Sequence, residues 1–176
     1  LIAARTRAAG ALAVASLALV LPVGAPAAPP TTRGSGWTTW GNSPVRQSRA
    51  SSSALNVRNG RKLKLAWSRP LGGVGAAQPL YLTKIEIRGQ RRDIYLAASE
   101  SGRVTAFDAR TGAVLWRSEL GSLTTGCQQM PQGVFGVTGT PVYDPAGGFV
   151  YVAVTDKLWS LDVHTGAPRA GWPVAL

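Results

Sequence analysis

The chain is 176 residues long, within the range of a single domain, and carries 19 Lys or Arg against 8 Asp or Glu, a formal net charge of +11. It contains one His and one Cys, which excludes a zinc site of clustered His and Cys, and a disulfide, within these residues. The lone thiol of Cys127 predicts either a disulfide partner beyond residue 176 or a buried, inert thiol.

The N-terminus has the layout of a secretory signal peptide. Arg5 and Arg7 precede an apolar run of 14 residues, and the small residues Ala25 and Ala27 predict cleavage after Ala27, which removes residues 1–27. A membrane anchor is the alternative, but 14 residues are too few for a hydrocarbon core that needs about 20. The sequence therefore predicts an exported protein (extracellular, periplasmic or cell-surface) with no transmembrane segment.

A linker rich in Pro, Thr, Gly and Ser, residues 28–36, leads towards a basic stretch. Between Arg58 and Arg92, nine Lys or Arg stand against the single acidic residue Glu86. Such a stretch has two interpretations: solvated loops, or a surface for an anionic polymer of the cell envelope. No aromatic residues alternate with the basic ones, as a base-stacking surface requires, so no nucleic-acid partner is expected.

Short β-strands and no helices are predicted from Trp37 onward. No segment spaces its apolar residues at i, i+3, i+4 and i+7, and Gly and Pro interrupt the chain throughout. Segments of five to eight residues are instead rich in Val, Tyr, Trp and Leu and bounded by turn residues. They are DIYLAAS, RVTAFDA, AVLWRSEL, TPVYD, FVYVAV and KLWSLDV. The sequence therefore predicts an all-β fold.

Similar turn segments recur along the chain. Gly60, Gly112 and Gly166 end the pentapeptides NVRNG, DARTG and DVHTG, at steps of 52 and 54 residues. A repeat of about 40 to 55 residues that carries four short strands is typical of a β-propeller blade. Two blades and a leader strand are therefore predicted, arranged as an open arc.

One copy of the repeat has a predicted insertion. Pro79 and Pro141, in QPLY and TPVY, are 62 residues apart, whereas Tyr95 and Tyr151 in the following strand are 56 apart. The difference places six extra residues in the hairpin of the first copy. The predicted divisions are a leader of residues 37–71, a first blade of 72–135 and a second blade of 136–176, with the C-terminus cut short.

The repeated residues have predicted structural roles. An aspartate at the start of a tight turn accepts hydrogen bonds from the backbone, a threonine hydroxyl supports the turn, and a glycine supplies the positive φ that closes it. The turn residues are Asp108, Thr111, Gly112, Asp162, Thr165 and Gly166. Tryptophans on outer strands are expected to pack between neighbouring blades, namely Trp67, Trp116 and Trp172.

The segments YLAASESGRVTAFDARTGAVLW and GVTGTPVYDPAGGFVYVAVTDKLWSLDVHTG resemble the pyrroloquinoline-quinone (PQQ)-type β-propeller repeat family. The leader, with a Trp pair, Asn-Val and Lys-Leu-x-x-Trp, is similar to the usual leader of the family. The resemblance implies a propeller in which family enzymes hold the quinone and Ca²⁺ at the axis with Glu, Asn and Asp oxygens, often beside adjacent cysteines. Cys127 has no adjacent cysteine, and Glu86, Glu100 and Glu119 match no such motif, so no catalytic, cofactor or metal residue is assigned.

Two functions remain open from the sequence. The first is a secreted or envelope-attached propeller that binds another macromolecule or polymer without catalysis. The sequence favours this function over that of an enzyme. The second is the N-terminal part of a PQQ-dependent alcohol dehydrogenase, in which case PQQ and Ca²⁺ are the cofactors. A third variant, an envelope assembly scaffold, shares the physics of the first.

One segment outside the repeat, TTGCQQMPQGVFGVTG, offers amides and a thiol just before the second blade. Because propellers bind ligands through such loops, Cys127, Gln128 and Gln129 form a candidate binding loop, with a purely structural loop as the alternative.

Overall fold

The computed structural model describes residues 36–50, 55–130 and 132–176. The predicted signal peptide, residues 1–27, and nearly all of the predicted linker lie outside the described residues. The described residues contain β-strands and two short 3₁₀ helices, Trp40–Asn42 and Gly60–Lys62, and no α-helix. No helix among them is long and apolar enough to cross a membrane. The predicted all-β class is confirmed.

Two four-stranded antiparallel sheets and one small hairpin make up the fold. The first sheet has strand order β1-β2-β3-β4, the second β10-β9-β8-β7, and β5 pairs with β6 alone. The strands are β1 Leu80–Ile87, β2 Gln90–Ala98, β3 Arg103–Asp108, β4 Val114–Glu119, β5 Leu123–Thr124, β6 Val134–Phe135, β7 Val142–Asp144, β8 Phe149–Val154, β9 Lys157–Asp162 and β10 Val174–Ala175. Each large sheet is a four-stranded meander, as in a propeller blade, and no sheet of the described residues closes into a ring.

The first blade carries a longer inner hairpin than the second. Strands β1 and β2 are 8 and 9 residues long and pair as far as Ile87 and Gln90, whereas β7 has only 3 residues. The pairing is irregular between Leu82 and Ile85, where Lys84 takes a φ of 57°. The extra length lies in the hairpin in which the sequence places its insertion.

The hydrophobic core lies between the two sheets. Leu80, Ile94 and Val104 of the first sheet and Val152 and Leu161 of the second are fully buried in one cluster. Because side chains alternate along a strand, the intervening residues face the other side of each sheet.

The opposite face of the first sheet is partly covered by the leader. Phe107 is buried on this face, and the ring of Trp67 lies 6.0 Å from it between centroids. Because both faces of β3 are covered, every residue of this strand after Arg103 is buried.

The leader differs from the predicted extra strand. Its described part contributes one isolated bridge, in which the N–H and C=O of Trp37 pair with Tyr81 of β1 at 2.6 and 3.0 Å. The N–H of Tyr143 in β7 donates to the carbonyl oxygen of Thr38 at 2.9 Å, so the leader connects the first strands of both sheets. The domain limits at residues 37–71, 72–135 and 136–176 stay a prediction.

Candidate functional site

The two repeat turns have the same hydrogen bonds. Oδ1 of Asp108 accepts from the backbone N–H of Arg110 and from the N–H and hydroxyl of Thr111, at 2.9–3.1 Å. Oδ1 of Asp162 accepts from the equivalent three donors of His164 and Thr165 at 2.8–3.1 Å. Each carboxylate thus replaces the backbone partners that a tight turn leaves unpaired.

A tryptophan from the preceding outer segment contacts each turn. The indole N–H of Trp67 donates to the carbonyl oxygen of Ala109 at 3.0 Å, and that of Trp116 to Val163 at 2.9 Å. Each ring packs on the glycine of its turn, with φ of 68° at Gly112 and 76° at Gly166. A Cβ there would lie 2.6 Å from the Trp67 ring and 2.5 Å from the Trp116 ring, so both positions require glycine.

The first turn also carries an ion pair. Nη1 of Arg92 lies 2.7 Å from Oδ2 of the buried Asp108. The hydrogen bond from Arg92, supplemented by those from Thr111 and Arg110, lowers the pKa of Asp108 from 3.8 to about 2, against the opposing effect of burial. This turn is therefore held by a charge that persists in moderately acidic solution.

The predicted packing of Trp172 between neighbouring blades stays a prediction. Trp172 lies in the segment before β10, where its ring contacts Tyr151 of the same sheet at a centroid distance of 5.7 Å. It stands six residues after Gly166, two more than in the first copy. Pro168 forms an isolated bridge with Leu161 of β9, the N–H of Arg169 donates to Ser160, and regular strand pairing begins only at Val174.

A cleft of about 650 Å³ lies where the leader meets the starts of the inner strands. It is called the central cleft here, and sequence reasoning missed it. Its lining contains hydroxyl, amide and guanidinium groups beside one large aromatic ring. The lining residues are Thr39, Trp40, Ser43, Pro44, Arg46, Ala76, Ala77, Gln78, Thr138, Thr140 and Val142.

Hydrogen bonds between the two repeat copies fix the floor of the central cleft. The N–H of Gln78 donates to Oγ1 of Thr140 at 3.0 Å, and these residues precede Pro79 and Pro141 in QPLY and TPVY. Oε1 of Gln78 accepts from the N–H of Gly41 at 3.0 Å, which attaches the leader to the same point. The recurrence of the two Pro-containing segments marks equivalent positions of the two copies but does not reveal this contact.

The lining of the central cleft combines an exposed aromatic ring, a guanidinium group and one buried hydroxyl. The guanidinium of Arg46 lies 4.8 Å from the centroid of Trp40, whose side chain is 51% exposed. Oγ of Ser43 is buried and has no hydrogen-bond partner among the described residues. Six of the eleven lining residues carry a hydroxyl, amide or guanidinium group, so the central cleft suits a polar ligand.

The candidate binding loop does not contribute to the lining of the central cleft. Cys127 is exposed, and its Sγ donates to Oε1 of Gln129 at 2.8 Å. The backbone N–H of Cys127 donates to Oγ1 of Thr125, just beyond the β5–β6 pairing. Gln128 is exposed between them. The buried thiol considered as one alternative from the sequence is therefore wrong.

A protein-family model described as "PQQ: Glucose/ethanol/alcohol dehydrogenase, beta-propeller domain" matches residues 37–175. The chain belongs to the PQQ β-propeller family. No curated protein matches it. The match covers both sheets and the leader, which confirms the resemblance found in the sequence.

Two solved structures match parts of this chain at low identity. BamB from Moraxella catarrhalis is 24% identical, with a TM-score of 0.42, over 64% of this chain and 27% of that chain. A europium-containing methanol dehydrogenase is 16% identical, with a TM-score of 0.43, over 80% of this chain and 32% of that chain. This chain spans less than a third of either solved chain.

The carboxylates of the described part of this PQQ-family chain do not gather into one cluster. Nowhere in it do three His, Cys, Asp or Glu side chains come together. Glu119 pairs with Arg103 at 2.6 Å, and the main-chain oxygen of Glu86 lies 2.6 Å from Nδ1 of His164. Glu100 is buried, and its Oε2 has no partner among the described residues. A single carboxylate is not a calcium site, which takes six to eight oxygen ligands.

Proposed function

We propose that this PQQ-family propeller is exported and acts as a non-catalytic binding or scaffold module. Its partner is another macromolecule or an anionic polymer of the envelope, held at the central cleft. The observation that carries the proposal is the cleft itself, an open cavity of about 650 Å³ with convergent polar groups. Export rests on the predicted signal peptide, residues 1–27.

The construction of the central cleft supports a binding role. Its floor joins both repeat copies and the leader through the bonds of Gln78 to Thr140 and Gly41, so its shape is set before a partner arrives. A preformed site loses little conformational entropy on binding. Trp40 and Arg46 together offer an exposed ring and a cation, which are the residue types most often responsible for affinity at interfaces.

Filling the central cleft tests this proposal. Val142 lines the cleft and is 45% exposed, and Val114 of β4 is equally exposed but outside the cleft. Binding of the purified full chain to isolated cell envelopes would be measured for Val142→Trp and for the matched control Val114→Trp. We expect saturable binding that weakens about ten-fold or more in Val142→Trp and is unchanged in Val114→Trp. No saturable binding, or equal loss in both variants, contradicts the proposal.

A dehydrogenase is the second candidate, because the matching family model is described by glucose, ethanol and alcohol dehydrogenases. This candidate places the quinone and Ca²⁺ ligands in parts of the protein other than the described residues. The test is to reconstitute the full-length protein with PQQ and Ca²⁺ and measure dye-coupled alcohol oxidation. Turnover would overturn the non-catalytic proposal in favour of this one.

A further inference from the structure

A second cavity, of about 530 Å³, lies on the outer face of the first sheet, beside its long hairpin. It is called the hairpin groove here, and it shares no residue with the central cleft. The side chains that matter for a ligand are two tyrosines, three arginines and an amide: Tyr81, Tyr95, Arg91, Arg92, Arg110 and Gln90.

The acidic groups of the hairpin groove are already occupied. Asp108 pairs with Arg92 at 2.7 Å. The carboxylate of Asp93 accepts from the hydroxyl of Tyr81 and from the backbone N–H of Lys84, both at 2.9 Å. Neither carboxylate therefore needs a further cation from within the groove.

Two guanidinium groups of the hairpin groove remain uncommitted. Arg91 and Arg110 are exposed, and neither side chain has a hydrogen-bond acceptor among the described residues. A guanidinium presents paired N–H donors that match a carboxylate. With the two acidic groups satisfied, the groove offers positive charge to an anionic ligand.

Aromatic rings line the same groove. The centroids of Tyr81 and Tyr95 are 5.1 Å apart, and Trp67 continues the row at 5.9 Å from Tyr95. The bond from its hydroxyl to Asp93 holds the ring of Tyr81 in place, and Tyr95 is 38% exposed. An aromatic ring that is held in place at the edge of a groove can pack against the apolar C–H face of a sugar.

We propose that the hairpin groove binds a carboxylated polysaccharide, with a sugar ring against Tyr95 and its carboxylate paired with Arg91 and Arg110. Asp93 keeps its negative charge, because both of its partners are neutral donors, so a ligand with a charge on every phosphate meets repulsion at this carboxylate. This repulsion favours a ligand whose charge lies only at the guanidinium groups. In a polymer with one carboxylate per sugar, the carboxylate can pair with the guanidinium groups of Arg91 and Arg110 while the uncharged sugar ring lies against Tyr95.

The test is a binding titration of the full chain with oligogalacturonate, followed by calorimetry. The double variant Arg91→Gln/Arg110→Gln removes the two groove charges. Its matched control, Arg88→Gln/Arg117→Gln, removes two exposed charges outside the groove. We expect binding about ten-fold weaker in the groove variant and changed by less than about two-fold in the control.

Three further arms make the result decisive. A neutral oligosaccharide, dextran, should bind at least about ten-fold more weakly than oligogalacturonate, since it lacks the carboxylate. Single-stranded oligothymidylate or polyphosphate that binds as tightly as oligogalacturonate would overturn the proposal, as would equal losses in the two double variants. Val142→Trp, which fills the central cleft, should leave the binding of oligogalacturonate unchanged. The result therefore distinguishes a failure of the proposal for the hairpin groove from a failure of the proposal for the central cleft.

Discussion

Trp116 of the first sheet donates its indole N–H to the carbonyl oxygen of Val163 in the second sheet, at 2.9 Å. The side chain is 8% exposed, so the bond is shielded from water. Ser118 reinforces the contact, because its hydroxyl donates to the carbonyl oxygen of Gly166 at 2.6 Å. The outer strand of one blade is thereby joined to the turn of the next.

Loss of this indole bond should destabilise the fold. Trp116→Phe keeps an aromatic ring but leaves the carbonyl of Val163 without its donor, which costs about 1–3 kcal/mol in the free energy of unfolding. Trp159→Phe is the control, because Nε1 of Trp159 is buried with no partner among the described residues, and its removal should cost less. Denaturant unfolding of both variants measures the difference. Equal losses would mean that the indole bond contributes nothing.

Gly166 should not accept a side chain. Its φ is 76°, and a Cβ would lie 2.5 Å from the ring of Trp116, so Gly166→Ala combines backbone strain with a clash worth about 2–4 kcal/mol. Gly139→Ala is the control, since no atom lies within 4 Å of the position of its Cβ and its φ is not positive. Thermal unfolding should show a clear drop only for Gly166→Ala. A similar melting temperature for both variants would contradict the close contact between the Trp116 ring and Gly166.

The ion pair of Asp108 predicts that the free energy of unfolding depends on pH in the acidic range. Because the pKa of Asp108 is lowered from 3.8 to about 2 in the folded chain, its contribution is present above pH 3.8 and disappears as the pH falls towards 2. The gap in unfolding free energy between the natural chain and Asp108→Asn should therefore narrow over this range. Denaturant titrations at several pH values measure it, and a gap that stays constant would exclude this role.

The raised pKa of Tyr81 predicts a loss of folding stability at alkaline pH. Burial, with the hydrogen bond to Asp93 as the next cause, raises the pKa of Tyr81 from 10.0 to about 12. The folded chain binds this proton more tightly than the unfolded chain, so the contribution of Tyr81 is present below pH 10 and is lost as the pH rises through 12. Ultraviolet titration of phenolate formation, with Tyr81→Phe to identify the signal, should find the step moved to lower pH in Asp93→Asn. An unmoved step would contradict the influence of Asp93.

The parts of the fold that follow from local sequence were predictable. Asp108, Thr111 and Gly112 lie within five residues, and the hydrogen bonds from Thr111 to Asp108 form within the turn itself. The strand pattern and the spacing of the two repeat copies were enough to predict two blades, because each four-stranded meander forms from consecutive segments.

The candidate sites depend on contacts that sequence spacing does not reveal. The central cleft requires Gln78 to meet Thr140 and Gly41, which lie 62 and 37 residues away. The hairpin groove requires Tyr81 and Tyr95 to lie beside arginines that alternate with no aromatic residue along the chain. Neighbours in sequence order show no alternation of aromatic and basic residues, whereas the sheet brings side chains of adjacent strands together.

The contact of Trp67 with Ala109 has a consequence for how such a protein can be divided or extended. Each tryptophan donates a hydrogen bond to a turn that lies about one repeat further along the chain. The smallest segment that could be exchanged between two such proteins therefore does not coincide with one sheet. It runs from one tryptophan to the next, here residues 67–115. A chimera joined at these positions would keep Trp67 with Gly112 although the joint falls within β4, whereas a joint placed between the two sheets would separate Trp116 from Gly166.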